Sequence, residues 1–205
     1  MKAVAICGSP RIEGNTEFLV NVCLNKLRAE GIETELVRLA EKRIEPCKGC
    51  GACGVRPDRK CSNQSDDFQE VFDKMLEADI IVTGSPVYFG SATPQLMALL
   101  DRAGYVSRKN GQLLSRKLGG AIVVARRAGQ NFTFAQLLYW FMINDMVVPG
   151  SSYWNIAFGA GKGEVAKDDE GLATVTRFAE NLAWLARRVR SDESAPVKKA
   201  TTQNG

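Results

Sequence analysis

What most constrains the fold is a regular alternation of short apolar runs with stretches of helical periodicity. Residues 3–7 (Ala-Val-Ala-Ile-Cys) form an uninterrupted apolar run stopped by Gly8-Ser9-Pro10, the pattern of a buried strand. From Asn15 to about Glu30, Phe18, Leu19, Val22, Cys23 and Leu27 recur at helical spacing, and Gly31 supplies a stop. Further strands are expected over 33–39, 80–83 and 121–124, with a fifth beginning at Met146-Val147-Val148. Helices are expected from about Asp66 to Glu77 with Ser65 or Asp66 as cap, around 93–104, from about Gln130 to Ile143, and over 171–189.

Strands separated by helices of this length pack as a parallel sheet covered on both faces, which is the α/β class. Five of them suit the doubly wound, flavodoxin-like order. With 205 residues and 45% hydrophobic composition, the chain can bury one substantial core. Residues 1–190 read as a single domain with an inserted cysteine loop at about 45–62, and the polar, aperiodic residues 191–205 read as a disordered tail.

Composition then narrows the chemistry. The chain has no histidine, which removes Ser–His and Cys–His nucleophiles, imidazole bases and His-ligated metals together. Electron or hydride transfer on a bound cofactor has no such requirement. The net charge of +4 is modest and charges of both signs interleave, so no nucleic-acid partner is expected. No run approaches the roughly 18 apolar residues of a membrane span. The run at 3–7 is too short for an export signal, and a cytoplasmic location is expected.

Four of the six cysteines follow the spacing C-x2-C-x2-C-x7-C, at Cys47, Cys50, Cys53 and Cys61. Three thiolates spaced three apart, with Gly49, Gly51 and Ala52 between them, can wrap one compact inorganic centre. A cubane iron–sulfur cluster takes four thiolates and draws on nearby backbone N–H groups. Glycines bring those amides close by adopting positive φ. Structural zinc stays open as an alternative, although all-cysteine zinc sites usually pair two separated C-x2-C knuckles. Free or redox-switch thiols stay open as well, whereas a secreted disulfide framework suits much smaller chains. Cys7 and Cys23 read as small core residues.

Ligands of a doubly wound sheet sit beyond the carboxyl ends of its strands. The turn after the first strand, Gly8-Ser9-Pro10-Arg11-Ile12-Glu13-Gly14-Asn15-Thr16, leads straight into a helix. Ser9, Asn15 and Thr16 offer side-chain hydrogen bonds, Arg11 offers charge, and the helix start offers free N–H donors, which together suit a phosphate. After the third strand comes Ser85-Pro86-Val87-Tyr88-Phe89-Gly90, with two aromatics for a flat ligand and backbone amides for its heteroatoms. After the fourth come Arg126 and Arg127, suited to negative charge on a reduced flavin or to a nicotinamide phosphate. Gly159-Ala160-Gly161-Lys162-Gly163 lacks the Ser or Thr of a phosphate-cradling P-loop and reads as a flexible loop. Trp140, Phe141 and Met142, near a helix end, read as core or as interface.

Gly8-Ser9-Pro10-Arg11…Gly14-Asn15-Thr16, the cysteine quartet, Ser85-Pro86-Val87-Tyr88-Phe89-Gly90 and Arg126-Arg127-x-Gly129-Gln130 occur in this order. Over residues 1 to about 150 the chain thereby resembles the iron–sulfur flavoproteins, within the wider NADPH-dependent FMN reductase and flavodoxin-like superfamily. The resemblance implies non-covalent FMN, with Ser9, Arg11, Asn15 and Thr16 at its phosphate, residues 86–90 at its ring, and a 4Fe–4S cluster on Cys47, Cys50, Cys53 and Cys61. It also implies homodimers or homotetramers in which one subunit's cluster approaches a neighbour's flavin. The expected activity is electron transfer between a soluble reductant (NADPH, NADH, ferredoxin or another small redox protein) and an acceptor. Two other readings stay open: an NAD(P)H-dependent FMN or quinone reductase without a cluster, and a non-enzymatic thiol redox sensor.

Overall fold

The computed structural model describes residues 1–56 and 58–191, so the tail expected at 191–205 lies, beyond Ser191, outside the described residues. Five strands, β1 (Lys2–Cys7), β2 (Glu33–Arg38), β3 (Ile80–Pro86), β4 (Leu118–Ala125) and β5 (Ile156–Phe158), form one sheet in the order β2-β1-β3-β4-β5. Every pairing is parallel. Five helices connect and flank them: α1 (Asn15–Ala29), α2 (Phe68–Glu77), α3 (Pro94–Lys109), α4 (Gln130–Ile143) and α5 (Asp169–Ser191). Among the described residues no helix is long and apolar enough to cross a membrane.

Alternate strand residues divide the core into two layers, as the two-residue period of a strand requires. Val4, Ile6, Ile81, Ala121 and Val123 face α2, α3 and α4, where they meet Phe72, Leu99 and Phe141. Ala3, Ala5, Val82, Ile122 and Val124 face α1 and α5, against Leu19, Leu24 and Phe178. The two glycines of β4 let an aromatic ring close on each face. A Cβ on Gly119 would lie 2.8 Å from Phe141 Cε1, and one on Gly120 would lie 2.7 Å from Phe178 Cζ. Phe178 is fully buried and has nowhere to retreat. Gly120→Ala is therefore expected to lower stability by about 1–3 kcal/mol through overpacking, read as a lower urea midpoint with an unchanged slope.

The expected fifth strand is corrected. Val147 makes only an isolated parallel bridge to Leu118 at the start of β4. Pro149 has a fixed φ and no N–H, so with Gly150 it ends the pairing. The chain returns to the edge as Ile156–Phe158, beside Val123–Ala125. The expected cap of α2 also moves: the helix begins at Phe68 after Asp67, and Asp66, although its Oδ1 accepts the Phe68 N–H at 3.4 Å, lies one residue further out, paired with Arg102. α3 runs past 104 to Lys109, since Val106 and Ser107 are buried. Trp140 and Phe141 are core, while Met142 is exposed.

Candidate functional site

A cleft of about 230 Å³ opens at the carboxyl ends of β1, β3 and β4, where strand order reverses. Ser9, Arg11, Asn15 and Thr16 line it from the first turn, Pro86, Val87 and Tyr88 from the second, and Arg126 from the third. Eight of the expected residues thus share one cleft. Phe89, Gly90 and Arg127 are not among its lining residues. The reason for the first two is a tight turn. Tyr88 N donates to Ser91 O (2.8 Å) and Ser91 N to Tyr88 O (3.0 Å), with Phe89 and Gly90 at φ +51° and +81°. That is a type I′ turn, which carries the Phe89 ring wholly into solvent.

The helix start carries no side-chain cap at Gly14, so the first-turn N–H groups of α1, beside the cleft-lining Gly14, Asn15 and Thr16, are left unpaired by the helix itself. Ser9 and Thr16 are buried at its floor. Glu17, in the same turn, would repel an anion, but it is turned aside. Its carboxylate accepts Arg38 Nε and Nη2 at 2.9 and 2.7 Å and the backbone N–H of Glu13 at 2.8 Å. Burial opposes its ionisation, yet the Arg38 guanidinium wins and holds the carboxyl below its usual value.

Residues 159–163, expected as a flexible loop, instead form a wall of the cleft through Gly159, Ala160 and Lys162. Asn15 fastens them: its Nδ2 donates to Gly161 O (2.7 Å) and its Oδ1 accepts Gly163 N (2.8 Å). A Cβ at Gly159 would lie 2.7 Å from Asn15 Nδ2, so only glycine permits the approach. Asn15 thus contributes by anchoring a second loop, and Lys162, whose Nζ pairs with Glu13 Oε2 at 3.2 Å, lines the cleft with Arg11 and Arg126. The placement of this glycine-rich, lysine-bearing loop directly after the last strand became readable only once that strand moved from Met146–Val148 to Ile156–Phe158.

The four loop cysteines converge on a second cavity, lined by Cys47, Cys50, Cys53 and Cys61 with Arg102, Tyr105 and Val106 of α3. All six cysteines are free thiols, and Cys7 and Cys23 are buried, with burial raising them to about 11 and about 12. The C-x2-C-x2-C segment bends through Gly49 and Gly51 at φ +64° and +72°. Gly49 N donates to Cys47 Sγ at 3.5 Å. Cys50 Sγ lies 3.3 Å from Ser62 Oγ, and this hydroxyl, followed by the Ala52 amide, draws the thiol below its usual pKa. Burial, and then the neighbouring Cys61, push Cys53 the other way. Among the described residues no three such side chains close around a single metal ion. Four thiols on the wall of one cavity, with an amide directed at sulfur, are a donor set that an iron–sulfur cluster would take.

Sequence reasoning missed Arg102. It is 1% exposed, paired with the equally buried Asp66, and lies 4.0 Å over the Phe68 ring. Its Nη1 donates to Glu45 O (3.0 Å), and its Nη2 donates to Asn63 O (3.1 Å) and Cys61 Sγ (3.3 Å). Just past the end of α3, Asn110 Nδ2 donates to Cys53 O (3.0 Å). Ahead of its first turn, Thr93 Oγ1 donates to Gly8 O (2.7 Å) and Thr93 N to Ser85 Oγ (3.1 Å). The two cavities share no lining residue: the second takes Arg102, Tyr105 and Val106 from the C-terminal half of α3, and the first takes none from that helix.

The chain is similar to known proteins along most of its length. The family model described as NADPH-dependent FMN reductase matches residues 1–161. An iron-sulfur flavoprotein of Methanocaldococcus jannaschii is 40% identical, over 93% of this chain and 100% of its own length. One from Methanosarcina thermophila is 36% identical, over 94% and 98%. Among solved structures, RosB with a bound riboflavin-phosphate intermediate superposes with TM-score 0.71 at 20% identity, covering 100% of this chain and 91% of that one. An archaeal flavodoxin superposes with TM-score 0.60 at 14% identity, covering 91% and 99%. The chain belongs to the NADPH-dependent FMN reductase family and, within that flavodoxin-like superfamily, to the iron–sulfur flavoproteins.

Proposed function

We propose that this chain is an FMN-dependent oxidoreductase that also carries a 4Fe–4S cluster and passes electrons between a soluble reductant and an acceptor. The single observation carrying this reading is the coexistence of two built cavities: an anion cleft at the switch point and a four-thiol cavity on α3. FMN supplies two-electron chemistry, and a cluster supplies one-electron exchange.

The residues divide the work of holding FMN. The N–H groups of the α1 start, with Ser9, Thr16 and Arg11, receive the phosphate. Pro86, Val87 and Tyr88 form the surface for the ring, and Asn15 keeps Lys162 and the 159–163 wall in place. Arg126 lies at the cleft mouth, where it favours negative charge on the ligand or meets a phosphorylated nicotinamide donor. Separation of the two cavities within one chain supports a homodimer or homotetramer in which a neighbour's cluster approaches the cleft.

Protein purified without air is expected to contain both flavin and iron. Replacing Cys47, Cys50, Cys53 and Cys61 together by serine should remove the iron and leave the flavin. Iron retained by that variant would refute the cluster assignment, and a flavin-free wild type would refute the cleft.

A further inference from the structure

The geometry points to Arg102 as a positioning residue for the iron centre, one that fixes the Cys61 sulfur and favours the cluster's reduced state. This inference rests on the cluster reading above. Cys61 is separated from Cys53 by seven residues and needs something to hold it in register with the first three thiols. Arg102 does this from the rigid face of α3. One fork of its guanidinium binds Cys61 Sγ and Asn63 O on the chain beyond the gap, and the other binds Glu45 O just ahead of Cys47. Both ends of the cysteine loop are therefore tied to a single side chain.

The electrostatics follow from burial. One-electron reduction adds negative charge that spreads onto the ligand sulfurs, and N–H donors to sulfur favour that state. The charge on Arg102 is shielded from water and acts through a poorly screening medium. Asp66 opposes it but touches the sulfur only through Arg102; its other bonds are to the backbone N–H groups of Glu45 (2.7 Å) and Phe68 (3.4 Å). Arg102 and Asp66 thus stabilise the same fold while pulling the cluster potential in opposite directions.

That opposition separates tuning from simple support. The cluster potential would be read by an EPR-monitored titration with dithionite as reductant, on anaerobically purified wild type, Arg102→Gln and Asp66→Asn. The reduction equilibrium of Arg102→Gln is expected to fall about tenfold, a 59 mV shift to lower potential for a one-electron couple. That of Asp66→Asn is expected to shift to higher potential. Shifts in the same direction, or none in either variant, would reduce Arg102 to a structural brace and overturn the inference. If Arg102→Gln fails to retain iron, Asp66→Asn decides alone: a rise supports the inference and a fall or no change overturns it. Wild-type protein lacking a cluster signal would instead remove the underlying cluster reading, and the inference with it.

Discussion

Asp66→Ala is expected to cost about 3–5 kcal/mol of folding stability, the loss typical when one partner of a buried ion pair is removed. Arg102 would keep its charge in a nearly water-free setting, with only carbonyls, a thiol and the Phe68 ring for company. The Glu45 and Phe68 amides would lose their acceptor as well. Replacing both partners by apolar residues, Asp66→Leu with Arg102→Met, should recover part of the loss, because no unpaired charge then stays buried, although the backbone groups of Glu45, Asn63 and Phe68 still lack their side-chain partners. Urea unfolding of the three proteins measures this; equal losses in the single and double variants would count against it. The same pair gives the fold an acid limit. Burial alone would raise the Asp66 carboxyl, but the Arg102 bonds bring it below its ordinary value. The folded-state value is thus the lower one, so the contribution is complete above about pH 4, the ordinary aspartate range, and is lost as pH falls through the depressed value.

Asn15→Leu is expected to weaken FMN binding about 10- to 100-fold while leaving the fold intact. Two hydrogen bonds, to Gly161 O and from Gly163 N, hold the 159–163 wall against the cleft. Their loss, with the backbone groups returned to water, corresponds to about 1.5–3 kcal/mol. Released, the loop would also withdraw Lys162 from the cations at the cleft mouth. Flavin fluorescence titration of apoprotein reads the affinity directly. An unchanged dissociation constant would mean that the wall is not part of the FMN site.

Much of this architecture is legible in the residues, where local and tertiary forces agree. The Gly8–Thr16 turn announces itself by a strand stop, polar side chains and a helix start, and Gln130–Ile143 has the expected bounds. The cysteine spacing anticipates convergence because its ligands are close in sequence. What escaped depends on pairings that local patterns do not carry. Met146–Val148 has the apolar signature of a strand, but Pro149 denies it a ladder. Asp66 looks like a helix cap until a guanidinium from another helix claims it. Arg102 does leave a trace: it sits three residues after Leu99 and four before Val106, a charge within an apolar stripe. Phe89 carries the chemistry of a ring contact, yet its backbone turns it outward.

α3 has a mechanical consequence. Its sixteen residues span about 24 Å. The strand ends beneath the anion cleft are latched to Thr93 just ahead of the helix, and the thiol-bearing segment is latched to Arg102 near its middle and to Asn110 just past its end. The helix therefore acts as a strut whose length, rather than any loop, sets the spacing between the strand ends under the cleft and the thiol-bearing segment. One residue inserted midway would twist its far half by about 100° and throw one set of latches out of alignment, whichever set the remaining core chose to keep.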